Sequence, residues 1–268
     1  MSGSRRPGPK AYLLITGLAL AMVLLPFLFW YYTWFGRKLS DADLDAYFAD
    51  ASKPRHAQHA LVQLGERISH HQDVSRWYPN VVAQVASPRA ELRETAAWIM
   101  GQDTRYQPFH DALLKLISDP QPMVRRNAAL SLAAFGDATA RPELVAMLRP
   151  FTIVSPAAGV LKYRLKVDEY VNSGTMVAHV GEVEVRAPVP GTVRALDAKE
   201  GAPVQQAQDL VELSADKNHV WEALRGLVLV GQAADLDDVE RFTRPIPGMP
   251  DSIVRQASET AQAIRARK

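Results

Sequence analysis

Glycines at positions 65, 101 and 136 stand 36 and 35 residues apart, and each closes a helix-sized segment with an alanine-rich apolar stripe. The segments are His56–Gly65, Leu92–Gly101 and Val124–Gly136. Each follows a proline entry (Lys53-Pro54, Ser87-Pro88, Asp119-Pro120), and each is preceded by a shorter apolar stretch around Leu44, Val81 and Leu113. Proline before and glycine after mark helix boundaries. The repeating unit is therefore a helical hairpin, which cannot bury its apolar face alone and must stack on its neighbours. A fourth unit starts on schedule at Arg141, but strand-like sequence follows where its second helix should be. Val220–Gly231 then reads as the missing helix, and Asp235–Thr243 with Ser252–Ala266 as a terminal hairpin. The spacing predicts units one to four over 40–150, a β module over 151–216 inserted into the fourth unit, and completion of that unit with the last hairpin over 217–268. Three parts in series is the alternative arrangement. The inserted arrangement places Ala146 and Leu148 in one core with Leu224 and Val228.

Ahead of the repeats, Ala11 to Phe35 is a 25-residue run without a charge. As a helix it would reach about 37 Å, enough to cross a bilayer. Trp30, Tyr31, Tyr32 and Trp34 crowd its far end, where an interfacial aromatic belt anchors a span. A cleaved signal peptide is the other reading, with Ala19-Leu20-Ala21 as a small-residue site. However, fourteen more apolar residues follow Ala21, beyond the apolar length of a signal peptide, so an uncleaved single-pass anchor is expected over 11–35. Arg5, Arg6 and Lys10 precede the span, which makes 1–10 a cytoplasmic tail and, in a bacterium, sends the remaining domains to the periplasm from the inner membrane.

The run from Asp119 through Pro120, Val124 and Arg125 to Ala128, Ala129 and Leu130 resembles the aspartate-proline, valine-arginine and alanine-alanine-leucine pattern of HEAT repeats, in the short form also found in phycobilisome lyases. Units one and two match it more loosely. The β module contains two similar halves, Ser155–Val180 and Arg186–Leu213. Pro156 and Gly159 recur 32 residues later at Pro188 and Gly191, and Val171 and Val177 recur 33 later at Val204 and Leu210. Short alternating strands between Gly, Pro and Asp turns suit a small flattened barrel. Val185–Val193 is similar to the stretch after the carrier lysine of the biotinyl/lipoyl family, which implies a barrel-sandwich hybrid. Non-carrier barrels of that kind occur in membrane-fusion adaptor proteins. The hairpin between the halves, His179–Glu184, holds no lysine, and none lies between Lys166 and Lys199, so a barrel carrying neither biotin nor lipoate is expected.

The fold class expected is thus α+β and multidomain: a transmembrane helix, an α-solenoid of HEAT-like repeats and an inserted all-β domain. The chain has no cysteine, which excludes thiol catalysis, disulfides and thiolate metal sites. Beyond residue 38 it carries 26 basic and 29 acidic residues, which argues against a phosphate-binding surface and hence against nucleic acid. His56 and His59, three apart on one helix, are the candidates for a metal, but no Cys or Glu stands at ligand spacing beside them, so no metal site is expected. His110 and His219 stand alone near helix starts and read as structural. No phosphate loop, nucleophile elbow or His-Glu pair is present. These absences leave no catalytic residue and no cofactor. A non-enzymatic, membrane-anchored scaffold or accessory subunit is expected, docking onto proteins of a respiratory or transport complex. Its alternatives are a periplasmic adaptor of an efflux or secretion system and, further off, a HEAT-repeat lyase.

Overall fold

The computed structural model describes residues 8–33, 37–50 and 52–267, with the backbone alone at 11 and 30–33. The chain divides into two units, Met1–Gln63 and Leu64–Lys268.

In the first unit, α1 (Pro9–Thr33) runs through Pro26 without a break. Its Tyr12–Phe29 segment is apolar all round and entirely unburied, the composition of a membrane span or a signal sequence. After it, α2 (Asp41–Ala49) is started by a reciprocal cap. The amide of Asp43 donates to Ser40 Oγ, and the amide of Ser40 donates to Asp43 Oδ2 at 3.0 Å. This cap satisfies two amides that the first turn would leave without partners. The next helix, α3 (Pro54–Ser69), begins in this unit.

The second unit contains the paired helices α4 (Tyr78–Ala83), α5 (Ala90–Met100), α6 (Gln107–Leu116), α7 (Pro122–Ala134) and α8 (Arg141–Met147). Strands β1 to β8 fall between Phe151 and Leu213, and α9 (Lys217–Val230), α10 (Leu236–Glu240) and α11 (Asp251–Ala266) follow. The helical core is built from Ile99, Met100, Phe109, Leu113, Leu132 and Leu144, each fully buried. Two hydroxyls lock successive long helices together. Ser131 Oγ on α7 donates to Ala97 O on α5 at 2.7 Å, and Thr260 Oγ1 on α11 is 3.0 Å from Leu224 O on α9. Helix α9 packs against α7, α8 and α11. Its Gly226 lets the side chains of Leu144 and Ala133 come up to the backbone. Leu148 and Leu224 are buried, but Ala146 faces solvent and Val228 is half-buried. The short helix α8 turns Leu144 and Met147 inward instead.

The evenly spaced glycines do different work. Gly136 ends α7 with φ +77°, a left-handed turn that favours glycine. Gly65 closes nothing, because α3 continues to Ser69. A side chain there would collide with the ring of Trp98, so the position is kept bare for packing. The helix expected over Asp235–Thr243 is only the five residues of α10, after one 3-10 turn. Pro245, Pro247 and Pro250 keep the chain irregular up to α11, since each removes an amide donor.

The β part forms two four-stranded antiparallel sheets, β1-β8-β6-β3 and β5-β4-β2-β7. The strands are β1 (Phe151–Val154), β2 (Gly159–Tyr163), β3 (Tyr170–Val171), β4 (Met176–Val180), β5 (Val183–Arg186), β6 (Gly191–Leu196), β7 (Pro203–Val204) and β8 (Asp209–Leu213). Exchanging β1 with β5, β2 with β6, β3 with β7 and β4 with β8 converts one order into the other. The register repeats as well. Gly159 faces Val204 and Leu161 faces Val180, just as Gly191 faces Val171 and Val193 faces Leu213. The duplication in the sequence is therefore a duplication in space. Leu161, Val177, Val193, Leu210, Val211 and Leu213 form the fully buried centre. Met123 of α7 packs against this core from outside.

Candidate functional site

The junctions between helical pairs are held by arginine–carboxylate pairs. Arg93 donates to both oxygens of Asp119 at 2.6 and 2.9 Å, and Arg125 donates to Glu143 at 3.0 Å. Beyond the β part, Arg141 grips Asp235 at 2.8 and 2.8 Å, and Arg149 grips Asp238 at 2.8 and 2.6 Å. Bidentate geometry of this kind is both directional and strong. Burial alone would raise the pKa of Asp119, but the hydrogen bonds from Arg93 and the Gln121 amide, with the charges of Arg93 and Arg125, outweigh it and hold it below the ordinary value. These groups are satisfied, and they organise the fold.

A chain of polar groups, exposed at Tyr170 and buried at Asp216 and Arg126, ties the β part to the helices. Tyr170 Oη donates to Asp216 at 3.1 Å, and Asp216 caps α9 by accepting from the amides of Asn218 and His219. His219 Nδ1 accepts from Arg126 at 2.7 Å. Burial, then the neighbouring guanidinium, lowers His219 to about 4, and burial lowers Arg126 to about 10. At neutral pH, His219 is a neutral acceptor facing a charged arginine. The cleft beside this joint, about 660 Å³, is lined by Tyr170, Thr192, Arg194, Asp216 and Met249 among others. Its main polar groups are already paired, Tyr170 with Asp216 and Arg194 with Glu212.

The groove across α5, α7, α9 and α11 differs. It encloses about 470 Å³ between Trp98, Gln102, Leu130, Ser131, Ala134, Glu222, Arg225, Val228, Leu229 and Gln256. Trp98 is 48% exposed and Leu229 56% exposed. Glu94 lies one turn before Trp98 on α5, and its carboxyl is raised above the ordinary range, first by desolvation and then by the charge of Glu91. Glu222 is raised too, by desolvation and the charge of Asp216, against a smaller pull from Arg225. Glu222 is open at its own surface, yet a carboxyl inside a groove has protein around it where an open surface would have water. Large exposed apolar side chains beside desolvated charges mark surfaces that contact other molecules.

Residues 78–158 match the family model of HEAT repeats. The HEAT match covers α4 to α8 and ends just beyond β1, and HEAT repeats generally mediate protein–protein contacts. No curated protein matches the chain.

The sequence candidates lie elsewhere. His56 stacks on Tyr47 at 4.0 Å and stands 3.9 Å from Asp50, while the buried His59 is tilted against the same tyrosine at 5.9 Å. Among the described residues no three His, Asp or Glu side chains converge as a metal would require. His110 Nε2 donates to Asp137 Oδ2 at 2.7 Å and its ring rests on Phe135. The side chains of Trp30, Tyr31 and Tyr32, and Trp34 altogether, lie outside the described residues. Sequence reasoning did not single out Trp98, Leu229, Glu94 or Glu222. The available signal was position: Trp98 precedes Gly101 by three residues on an otherwise small-residue stripe.

Proposed function

We propose that this protein is a non-catalytic scaffold that docks other proteins of a membrane complex in the groove across α5, α7, α9 and α11. The observation that carries this is the pair Trp98 and Leu229, about half exposed, within a region matching repeats that bind proteins. In this reading α1 is a single-pass anchor in the inner membrane, and the other domains face the periplasm. The β part is a biotinyl/lipoyl-like barrel-sandwich hybrid without a carrier amine, inserted between the two helices of the fourth repeat, with α9 as the second of them. The matched strand orders of its two sheets support that assignment, as does the packing of α9 on α8. The barrel then offers a second rigid surface beside the groove.

The test is Leu229→Asp in the full-length protein, purified from detergent-solubilised membranes. Leu229 is too exposed to support the fold, so the variant should melt as the parent does and lose the proteins that accompany it. Unchanged accompanying proteins would remove the groove as the docking surface.

A further inference from the structure

The groove across α5, α7, α9 and α11 has polar walls as well as apolar ones. Glu222 and Arg225, one acid and one base, stand three residues apart on α9, both exposed. Their charges balance, so the lining selects neither a cation nor an anion. Two neutral amides reach the groove as well, Gln102 just beyond α5 and Gln256 on α11. Gln256 belongs to the inward stripe of α11 with Ile253, Ala257 and Thr260 and is 9% exposed. Neither polar atom of its side chain makes a hydrogen bond among the described residues, and neither is sealed from the surface. Gln102 Nε2 also lacks an acceptor among them. The hydroxyl of Ser131, in the same lining, is by contrast already spent on Ala97 O at 2.7 Å. Buried side-chain amides are normally hydrogen-bonded, so Gln256 stands out as a group built toward the groove and left open there.

A purely apolar occupant covering Trp98 and Leu229 would shut that amide away from water without a partner, which costs free energy. A side-chain amide carries donors and an acceptor side by side, and its neutral complement is another amide. Inside a helix the main-chain amides already bond to one another. In an extended segment they are free, and such segments bind through main-chain hydrogen bonds with alternate side chains in pockets. We infer that the groove accepts an extended, uncharged segment of a partner protein, whose main-chain amide pairs with Gln256 while its leucine-sized side chains cover Trp98 and Leu229. This rests on the docking reading above and names the chemistry of its partner.

Capped hexapeptides that alternate leucine with serine, about 20 Å long when extended, test it by calorimetry against the solubilised full-length protein. Companion peptides replace the amide of one leucine at a time by an ester, which removes that N–H donor and keeps every side chain. At one of the leucines the ester should weaken binding about tenfold. A capped helical peptide with leucine and asparagine on one face should bind more weakly than the hexapeptide. Gln256→Met keeps the length of the side chain and removes its polar atoms. It should melt as the parent does and bind the amide and ester peptides alike. If its melting falls, the ester series on the parent protein decides alone. Leu229→Asp should weaken every peptide. Equal affinity of amide and ester peptides for the parent protein, an ester effect that survives in a stably folded Gln256→Met variant, or tighter binding of the helical peptide overturns the inference and leaves apolar docking standing. Absence of all binding overturns it as well, while retention of native partners decides the docking reading separately.

Discussion

The repeat junctions and the groove share α5 and α7 and the same residue types, yet their charges are treated differently. At the junctions, Arg93, Arg141 and Arg149 meet carboxylates with two hydrogen bonds each, and the carboxylates are nearly buried. At the groove, Glu222 makes no hydrogen bond or ion pair among the described residues, and neither does Glu94 one turn before Trp98 on α5, while Trp98 and Leu229 are about half exposed. The difference separates two jobs. Satisfied groups hold one helical pair to the next, while in the proposed docking reading the exposed apolar side chains of the groove are left for a partner. Stability and binding should therefore respond to different substitutions on a single helix.

Helix α9 offers the sharpest break of that contrast. Leu224 is fully buried and Leu229 is 56% exposed. Leu224→Asp should destabilise the helical unit by more than about 4 kcal/mol, since it buries a carboxylate without a partner. Leu229→Asp should change stability by less than about 0.5 kcal/mol. Thermal melting followed by circular dichroism reads both, and similar melting of the two variants would erase the distinction between core and groove on α9.

The junction pairs come next. Asp119→Ala leaves the guanidinium of Arg93 nearly buried without its bidentate partner and should cost about 2–3 kcal/mol. The double variant with Arg93→Ala should recover part of that loss, because no lone charge remains. A purely additive double variant would show that the pair is not coupled.

The joint between the β part and the helices predicts acid sensitivity. His219 titrates near 4 in the folded chain against an ordinary value of 6.5. The unfolded chain therefore binds the extra proton first as pH falls. The contribution of His219 is fully present above about 6.5 and is lost as pH drops toward about 4, by on the order of 3 kcal/mol. His219→Asn keeps an acceptor for Arg126 without titrating, so its urea midpoint should fall less steeply over that window. Parallel curves for parent and variant would assign the acid response to other groups.

The smallest effect has an unusual sign. Glu94 is raised by desolvation, so its charged form costs stability, and that cost is absent at low pH and appears as pH rises. Glu94→Gln should stabilise the protein at neutral pH by about 0.5 kcal/mol. Destabilisation by this change would mean that Glu94 supports the fold as the junction carboxylates do.

Much of the helical architecture could be read locally. A proline entry, an alanine-rich stripe and a closing glycine recur often enough to set the hairpin unit, and the alanine-rich stripes do lie in α3, α5 and α7. Helix ends were less legible, because glycine has two uses that look alike in one dimension. Gly136 is a turn, and Gly65 is a contact for Trp98 thirty-three residues away. The duplication inside the β part was legible as spacing, since residues 32 and 33 apart share a register. The inward side of α8 was misjudged at Ala146, where a helix of seven residues gives too few turns to fix a stripe.

By itself, the sequence determined the apolar first helix, the hairpin period and the twofold strand pattern, because each depends on neighbours a few residues apart or on an exact internal repeat. Only the tertiary structure decided which arginine meets which carboxylate. Arg141 and Asp235 are 94 residues apart, and Arg126 and His219 are 93 apart. It also decided which acids have no partner among the described residues. Pairing and desolvation depend on what other segments bring to within a few ångströms, and no local pattern encodes that distance.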